Sequence, residues 1–323
     1  MMYDSHVDTP TELLKLRDIS IDNENGQVDF PKLRRGGVDG SFFALYTSAD
    51  LSTEDACYRA LQMLSAVNDV IEASAGKAAL TCTPAQAADN KEKGVFSIFL
   101  GMENGSPIGE SLALLRMFYG LGTRYLTLTH NGDNAIADSA AEGKTWGGLS
   151  PFGREVVAQM NRLGMMVDLS HASDATFWDC IKYSKAPVVA THSCCRALCS
   201  HRRNLTDDML RALADVDGYV GINFYPYFLS DTYQGEGTPL PGVKEVVDHI
   251  DRAVEICGIS HVGIGSDYDG IEVTPAGMED VSKIPLVFEE MARRGYTPEQ
   301  IELVSGANLM NVLGRVIKCS ELA

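Results

Sequence analysis

Met2-Tyr3-Asp4-Ser5-His6-Val7-Asp8 reads as a short strand that ends in His-x-Asp. Alternation along a strand puts His6 and Asp8 on one face, where both reach the same ion. An imidazole beside a carboxylate suits zinc or a similar borderline divalent metal. One such pair arises often by chance, so its weight depends on whether later strands end in matching ligands.

They do. Downstream, short apolar runs alternate with amphipathic helical stretches, the pattern of βα units around a parallel sheet. Further strands are expected at 38–46, 95–100, 125–129, 165–169, 187–190, 219–224 and 262–266. Helices are expected at 53–75, 111–119, 153–163, 175–183, 206–213 and 243–257, with terminal helices near the end of the chain. Residues 17–37 read as a polar loop, and 133–148 as an active-site loop that is small, polar and glycine-containing. Eight strands separated by helices, with no composition break, predict a single α/β domain over 1–323. The natural closure is a (β/α)8 TIM barrel with extra C-terminal helices.

In such barrels chemistry collects at the C-terminal ends of the strands. His6 and Asp8 end the first strand, Glu103 the third, His130 the fourth, His171 the fifth, His192 the sixth and Asp267 the eighth. Four of seven histidines therefore fall at strand ends, which chance would scatter. The other three serve as controls. His249 belongs to a helix and is expected on a solvated or inter-element surface, and His261 precedes the last strand at the opposite face. His201 lies beside Arg202 and Arg203, a candidate supporting group. Two ions need a shared ligand, and a carboxylate bridges a pair roughly 3.5–4 Å apart. Glu103, flanked by Gly101 and Gly105, is the strand-end carboxylate between the two groups in chain order. The expected sets are His6, Asp8 and Glu103 for one ion, and Glu103, His171 and His192 for the other. Asp168 either orients a ligand imidazole or is simply buried. Cys194, Cys195 and Cys199 read as packing residues, since adjacent cysteines seldom share an ion.

Composition excludes several classes. The chain has 323 residues, 45% hydrophobic and 22% charged, with a net charge of −17. That charge repels phosphate backbones and anionic lipid, so neither nucleic acid nor a membrane surface is an expected partner. No apolar run reaches the ~18 residues of a spanning helix, and no secretion or anchor signal is recognisable. The eight cysteines are accordingly expected as reduced thiols in a cytoplasmic protein.

Several segments resemble the zinc-dependent renal-type (membrane) dipeptidases, within the amidohydrolase-like metal-dependent barrels. They are Asp4-Ser5-His6-Val7-Asp8, Gly101-Met102-Glu103-Asn104-Gly105, Leu126-Thr127-Leu128-Thr129-His130 and Gly148-Leu149-Ser150-Pro151-Phe152-Gly153. Val167-Asp168-Leu169-Ser170-His171, Thr191-His192-Ser193, Arg202-Arg203-Asn204-Leu205-Thr206-Asp207 and Val262 to Gly270 continue the match over nearly the whole chain. The resemblance implies two Zn²⁺ per chain bridged by Glu103, with dipeptides as substrates. It also implies that Arg203 binds the substrate's C-terminal carboxylate, His130 contacts the scissile group and Asp267 handles the proton. Tolerance of a D-residue at the C-terminal position, activity on some β-lactams and a homodimer are implied by resemblance alone. The 133–145 loop does not match the family's pocket loop residue by residue. Two rivals stand beside this reading. One is a related barrel amidohydrolase acting on N-acyl amino acids or another amide or amine substrate; the other is a catalytically silent binding protein.

Overall fold

The computed structural model describes residues 1–141 and 144–321. Its strands are β1 (Tyr3–Val7), β2 (Gly40–Tyr46), β3 (Ala78–Leu80), β4 (Phe96–Glu103), β5 (Thr123–Thr127), β6 (Met166–Asp168), β7 (Val188–Ser193), β8 (Tyr219–Ile222) and β9 (Val262–Ile264). All pairings are parallel, and the order β1-β2-β4-β5-β6-β7-β8-β9 wraps a nearly closed eight-stranded barrel with flanking helices. The short β3 pairs only with β4, outside that ring. The architecture is therefore the expected (β/α)8 barrel.

Alternation along the strands sorts side chains into two cores. Phe43, Leu45, Leu100, Leu126, Val167 and Val220 face outward into the layer shared with the helices. Tyr3, Phe42, Phe99, Tyr125, Met166, Val189 and Tyr219 fill the interior. The helix Asn308–Lys318 closes the barrel's lower end, adding Leu309, Met310, Val312, Leu313 and Val316 to that inner core. Each such burial contributes roughly 1.5–3 kcal/mol. Nearer the mouth the inward positions turn small or polar: Ser5, Gly101, Thr127, Asp168 and Thr191.

The outer helices start on side-chain caps supplied by Ser52, Thr83, Ser111, Ser150, Ser173 and Thr206, each worth typically ~1 kcal/mol. The seam between β9 and β1 lacks a continuous ladder. It is closed by Asp8 N to Tyr268 O at 2.9 Å and Asp267 N to His6 O at 3.1 Å. The Asp4 carboxylate adds two bonds there, accepting from Ser266 N at 2.9 Å and Ser266 Oγ at 2.5 Å.

One local reading is corrected and two details are added. Residues 17–37 contain a helix, Phe30–Gly36, capped by Asp29, with proline in its first turn and Gly37 left-handed (φ 66°) at its end. The stretch between 76 and 95 holds β3 and the helix Pro84–Glu92. Of the two surfaces expected for His249, the structure shows the inter-element one, fully buried where Cys195 and Leu229 fold onto its helix. Among the described residues no helix is long and apolar enough to cross a membrane.

Candidate active site

The strand-end candidate ligands converge at the C-terminal mouth, and Glu103 stands at their centre. Its Oε2 lies 3.5 Å from His6 Nε2. Its Oε1 lies 3.2 Å from His171 Nε2, 3.6 Å from His192 Nε2 and 3.9 Å from His130 Nε2. The two oxygens thus face different imidazole sets. His6 Nε2 is also 3.3 Å from Asp8 Oδ2 and 3.9 Å from Asp267 Oδ1. Three clusters have donor atoms mutually within 4.8 Å: His6, Glu103 and His192; Glu103, His130 and His171; His6, Asp8 and Asp267.

The donor set fits a divalent metal. The Nε2 atoms of His6 and His192 are buried and have no hydrogen-bond partner among the described residues. An orphaned buried nitrogen costs roughly 1–3 kcal/mol, which a coordinated cation removes. Each ligand ring is instead held through Nδ1. His6 Nδ1 lies 2.8 Å from the Tyr125 hydroxyl, His171 Nδ1 3.1 Å from Asn131 Oδ1 and His192 Nδ1 2.9 Å from Thr191 Oγ1. Such outer bonds are how proteins aim metal-binding imidazoles.

Electrostatics agrees with the geometry. Burial, reinforced by Glu103, pushes the Asp8 carboxyl up to about 6. Burial raises Asp267 to about 7, with His6 opposing and Asp8 adding to the shift. Burial alone would disfavour a charged His6, but Glu103 and Asp8 outweigh it and raise its pKa well above the ordinary value. Burial, with Arg203 nearby, lowers His130 to about 3, and burial lowers His171 and His192 well below the usual range. Crowded carboxylates beside the neutral imidazoles of His130, His171 and His192 make a ready cation site.

Backbone strain marks the same mouth. Asn104, His171, Asp267 and Asp269 all adopt left-handed φ, between 64° and 80°, a cost tolerated mainly where function requires it. Gly270 is required by the carboxylates: a Cβ there would sit 2.2 Å from Asp8 Oδ2 and 2.7 Å from Asp267 Oδ1.

A cavity of about 340 Å³ opens above the ligands, lined by Tyr46, His130, Arg203, Tyr225, Phe228 and Glu272 among others. Arg203 is buried, with its guanidinium 5.4 Å from the Phe228 ring and its Nη2 donating to His192 O. Its Nε has no partner among the described residues. Burial lowers its pKa only to about 10, so it remains a cation. Arg202 points elsewhere, donating to Ala141 O. His201 supports the pair, since its Nδ1 accepts from Arg203 N and its ring packs 4.6 Å from Phe228.

The 133–145 loop folds around two carboxylates. Asp133 accepts from the N–H groups of Ser139, Lys144 and Thr145, and Asp138 from those of Trp146, Gly147 and Gly148. Residues 142 and 143 of that loop lie outside the described residues. Asp168 accepts from Thr127 Oγ1, Ser170 N, Thr191 N and Thr191 Oγ1, and so stands behind His192. The buried thiols of Cys194, Cys195 and Cys199 donate to carbonyls of Asn223, His249 and Tyr227, as packing residues do.

Sequence reasoning passed over Asn223. Its Nδ2 donates to Asp267 Oδ2 at 2.8 Å, and its Oδ1 accepts from Tyr225 N. Its position just past β8, a polar residue at a strand end, was the available signal. Tyr125 gave no such signal, because its role depends on a ring 119 residues away.

Known proteins resemble this chain over nearly its whole length. The profile of a family described as membrane dipeptidase, peptidase family M19, matches residues 1–322. An uncharacterized dipeptidase of Schizosaccharomyces pombe is 35% identical over 96% of this chain and 80% of its own length. A metallopeptidase from Rhodobacter sphaeroides, solved with a phosphinate mimic of the dipeptide L-Ala-D-Ala, superposes with a TM-score of 0.91 at 29% identity. That match covers 98% of this chain and 99% of the other. The probable dipeptidase PvdM from Pseudomonas aeruginosa superposes at 0.90 with 25% identity, over 99% of this chain and 96% of that one. This chain therefore belongs to the membrane dipeptidase family, peptidase family M19, and is a metal-dependent dipeptidase.

Proposed function

We propose that the enzyme works with two zinc ions bridged by Glu103 and cleaves dipeptides, including those with a D-residue at the C-terminal position. The observation that carries this reading is the split of the Glu103 oxygens, Oε2 toward His6 and Oε1 toward His171 and His192. His6, Asp8 and Glu103 would hold one ion, and Glu103, His171 and His192 the other. Zinc bound there supplies Lewis acidity toward an amide carbonyl and makes a water acidic enough to attack near neutral pH.

The chain's own groups complete the chemistry. Asp267, with Oδ2 tied to Asn223 and Oδ1 facing His6, accepts the water's proton and passes it to the leaving amine. His130 is neutral at working pH, and its Nε2 reaches into the same mouth. In the Nε2–H form it donates to the developing oxyanion. Arg203, a cation in a buried wall, pairs with the substrate carboxylate through its planar fork. The proposed acceptance of a D-residue draws on the dipeptide mimic bound by the Rhodobacter sphaeroides relative.

Metal content per chain, paired with L-Xaa-L-Xaa and L-Xaa-D-Xaa dipeptides and their C-terminally amidated controls, tests the reading. About two zinc per chain, with cleavage lost on amidation, is the expected result. A metal-loaded protein inert on every dipeptide overturns it and moves the search to N-acyl amino acids and amine substrates.

A further inference from the structure

We infer that the two halves of the centre load in a fixed order. The His171/His192 half is preset to take its ion first and more tightly, and the His6/Asp8 half fills second through the Tyr125 hydroxyl. This rests on the binuclear reading above and extends it to the residues behind the ligands.

A histidine binds an ion through Nε2 only when its ring proton sits on Nδ1, so whatever touches Nδ1 decides whether the ring is ready. Asn131 Oδ1, 3.1 Å from His171 Nδ1, is a carbonyl oxygen and can only accept. Thr191 Oγ1, 2.9 Å from His192 Nδ1, could in principle donate, but its single proton is committed to Asp168 Oδ2 at 2.7 Å. Asp168 holds that arrangement firmly, because Thr127 Oγ1 and the N–H groups of Ser170 and Thr191 occupy its remaining acceptor positions. Thr191 is left as an acceptor for His192 Nδ1–H. Both imidazoles are therefore held with Nε2 bare and facing Glu103 Oε1.

His6 differs. Its partner, the Tyr125 hydroxyl at 2.8 Å, is both donor and acceptor, and among the described residues no other hydrogen bond of that hydroxyl commits its proton. Tyr125 therefore supports either arrangement of the His6 ring and selects neither. The ligand chemistry points the same way. Two imidazoles and one carboxylate make the preset half the better match for a borderline ion, whereas two carboxylates and one imidazole make the other half harder. Gly101 shows that the tyrosine is built into the site. A Cβ at Gly101 would lie 1.9 Å from Tyr125 Cζ and 2.4 Å from its hydroxyl oxygen, so the phenol reaches His6 only across a glycine. Thr191, Asp168, Asn131 and Tyr125 are thus positioning residues, each acting through an imidazole.

The test is a titration of chelator-stripped full-length protein with Co²⁺, followed by visible absorbance and by competition with a chelator. Wild type is expected to bind in two steps, the first tighter. Thr191→Val, which keeps the branched shape and removes the hydroxyl, is expected to weaken the first step by roughly 10–100-fold. Thr191→Ser should restore it. Tyr125→Phe, which keeps the ring, is expected to weaken only the second step by a similar ~10–100-fold factor. Long-range ¹⁵N–¹H spectra of the stripped wild type, which require no variant to fold, should show His171 and His192 protonated on Nδ1. Two ions binding with equal affinity, a first step weakened by Tyr125→Phe but not by Thr191→Val, or Nε2-protonated His171 and His192 would each overturn the inference. Wild type that takes up fewer than two ions would overturn the binuclear reading itself, a separate failure.

Discussion

Glu103 and Asp168 are both buried carboxylates at the same level of the barrel, joined in register through Thr127. Asp168 is saturated, with two hydroxyls on one oxygen and two backbone N–H groups on the other. Glu103 faces four imidazole Nε2 atoms at 3.2–3.9 Å. The same split separates the histidines. Buried His249 has both nitrogens engaged, accepting from Cys195 N and donating to Leu229 O, while His6 and His192 leave Nε2 orphaned. Satisfied buried polar groups hold the scaffold together, and unsatisfied ones that converge are waiting for a ligand.

The sharpest test of that division is Asp267→Asn. It keeps the shape and the Asn223 contact, so kcat should fall about 10²–10⁴-fold while the melting temperature stays close to wild type. Asp168→Asn should act first on stability. Turning an amide toward four donors should cost roughly 2–4 kcal/mol in urea unfolding, and an unchanged midpoint would count against a scaffold role. Arg203→Lys keeps the charge and loses the fork; about 1.5–3 kcal/mol of charged hydrogen bonding should appear mainly as a raised KM. An amidated dipeptide should be indifferent to the change.

His249 gives the smallest effect. Burial lowers its pKa below the ordinary value. As pH falls, the unfolded chain takes up this proton first. The contribution is therefore full above about pH 6.5 and is lost below it, with a slope of at most ~1.4 kcal/mol per pH unit. Urea unfolding of wild type and His249→Gln at pH 7.5 and 5.5 should show the shallower dependence in the variant.

What the sequence disclosed follows the reach of each interaction. Strand periodicity placed Glu103, His171, His192 and Asp267 at strand ends, and a barrel then brings strand ends together regardless of their separation. The helix Phe30–Gly36 was hidden because only Phe30 and Leu33 of its FPKLRRG are large and apolar, and its cap and stop lie in a polar stretch. The three residues of β3 are too few to show alternation. For His249 the solvated and inter-element alternatives stayed open, because helical position alone does not reveal which loops pack against it. Asn223 and Tyr125 act on residues 44 and 119 positions away, distances at which pattern carries no information.

The seam between β9 and β1 has a consequence for biosynthesis. Asp4 and Ser266, which close it, are 262 residues apart. His6 leaves the ribosome long before Asp267 and meets it only after the chain between them has followed. Until then the nascent barrel is an open sheet whose first and last edges are both unpaired, and its catalytic mouth does not exist. Hydrolytic competence and topological closure are thus one event, so no partly made chain can degrade peptides at the site of its own synthesis.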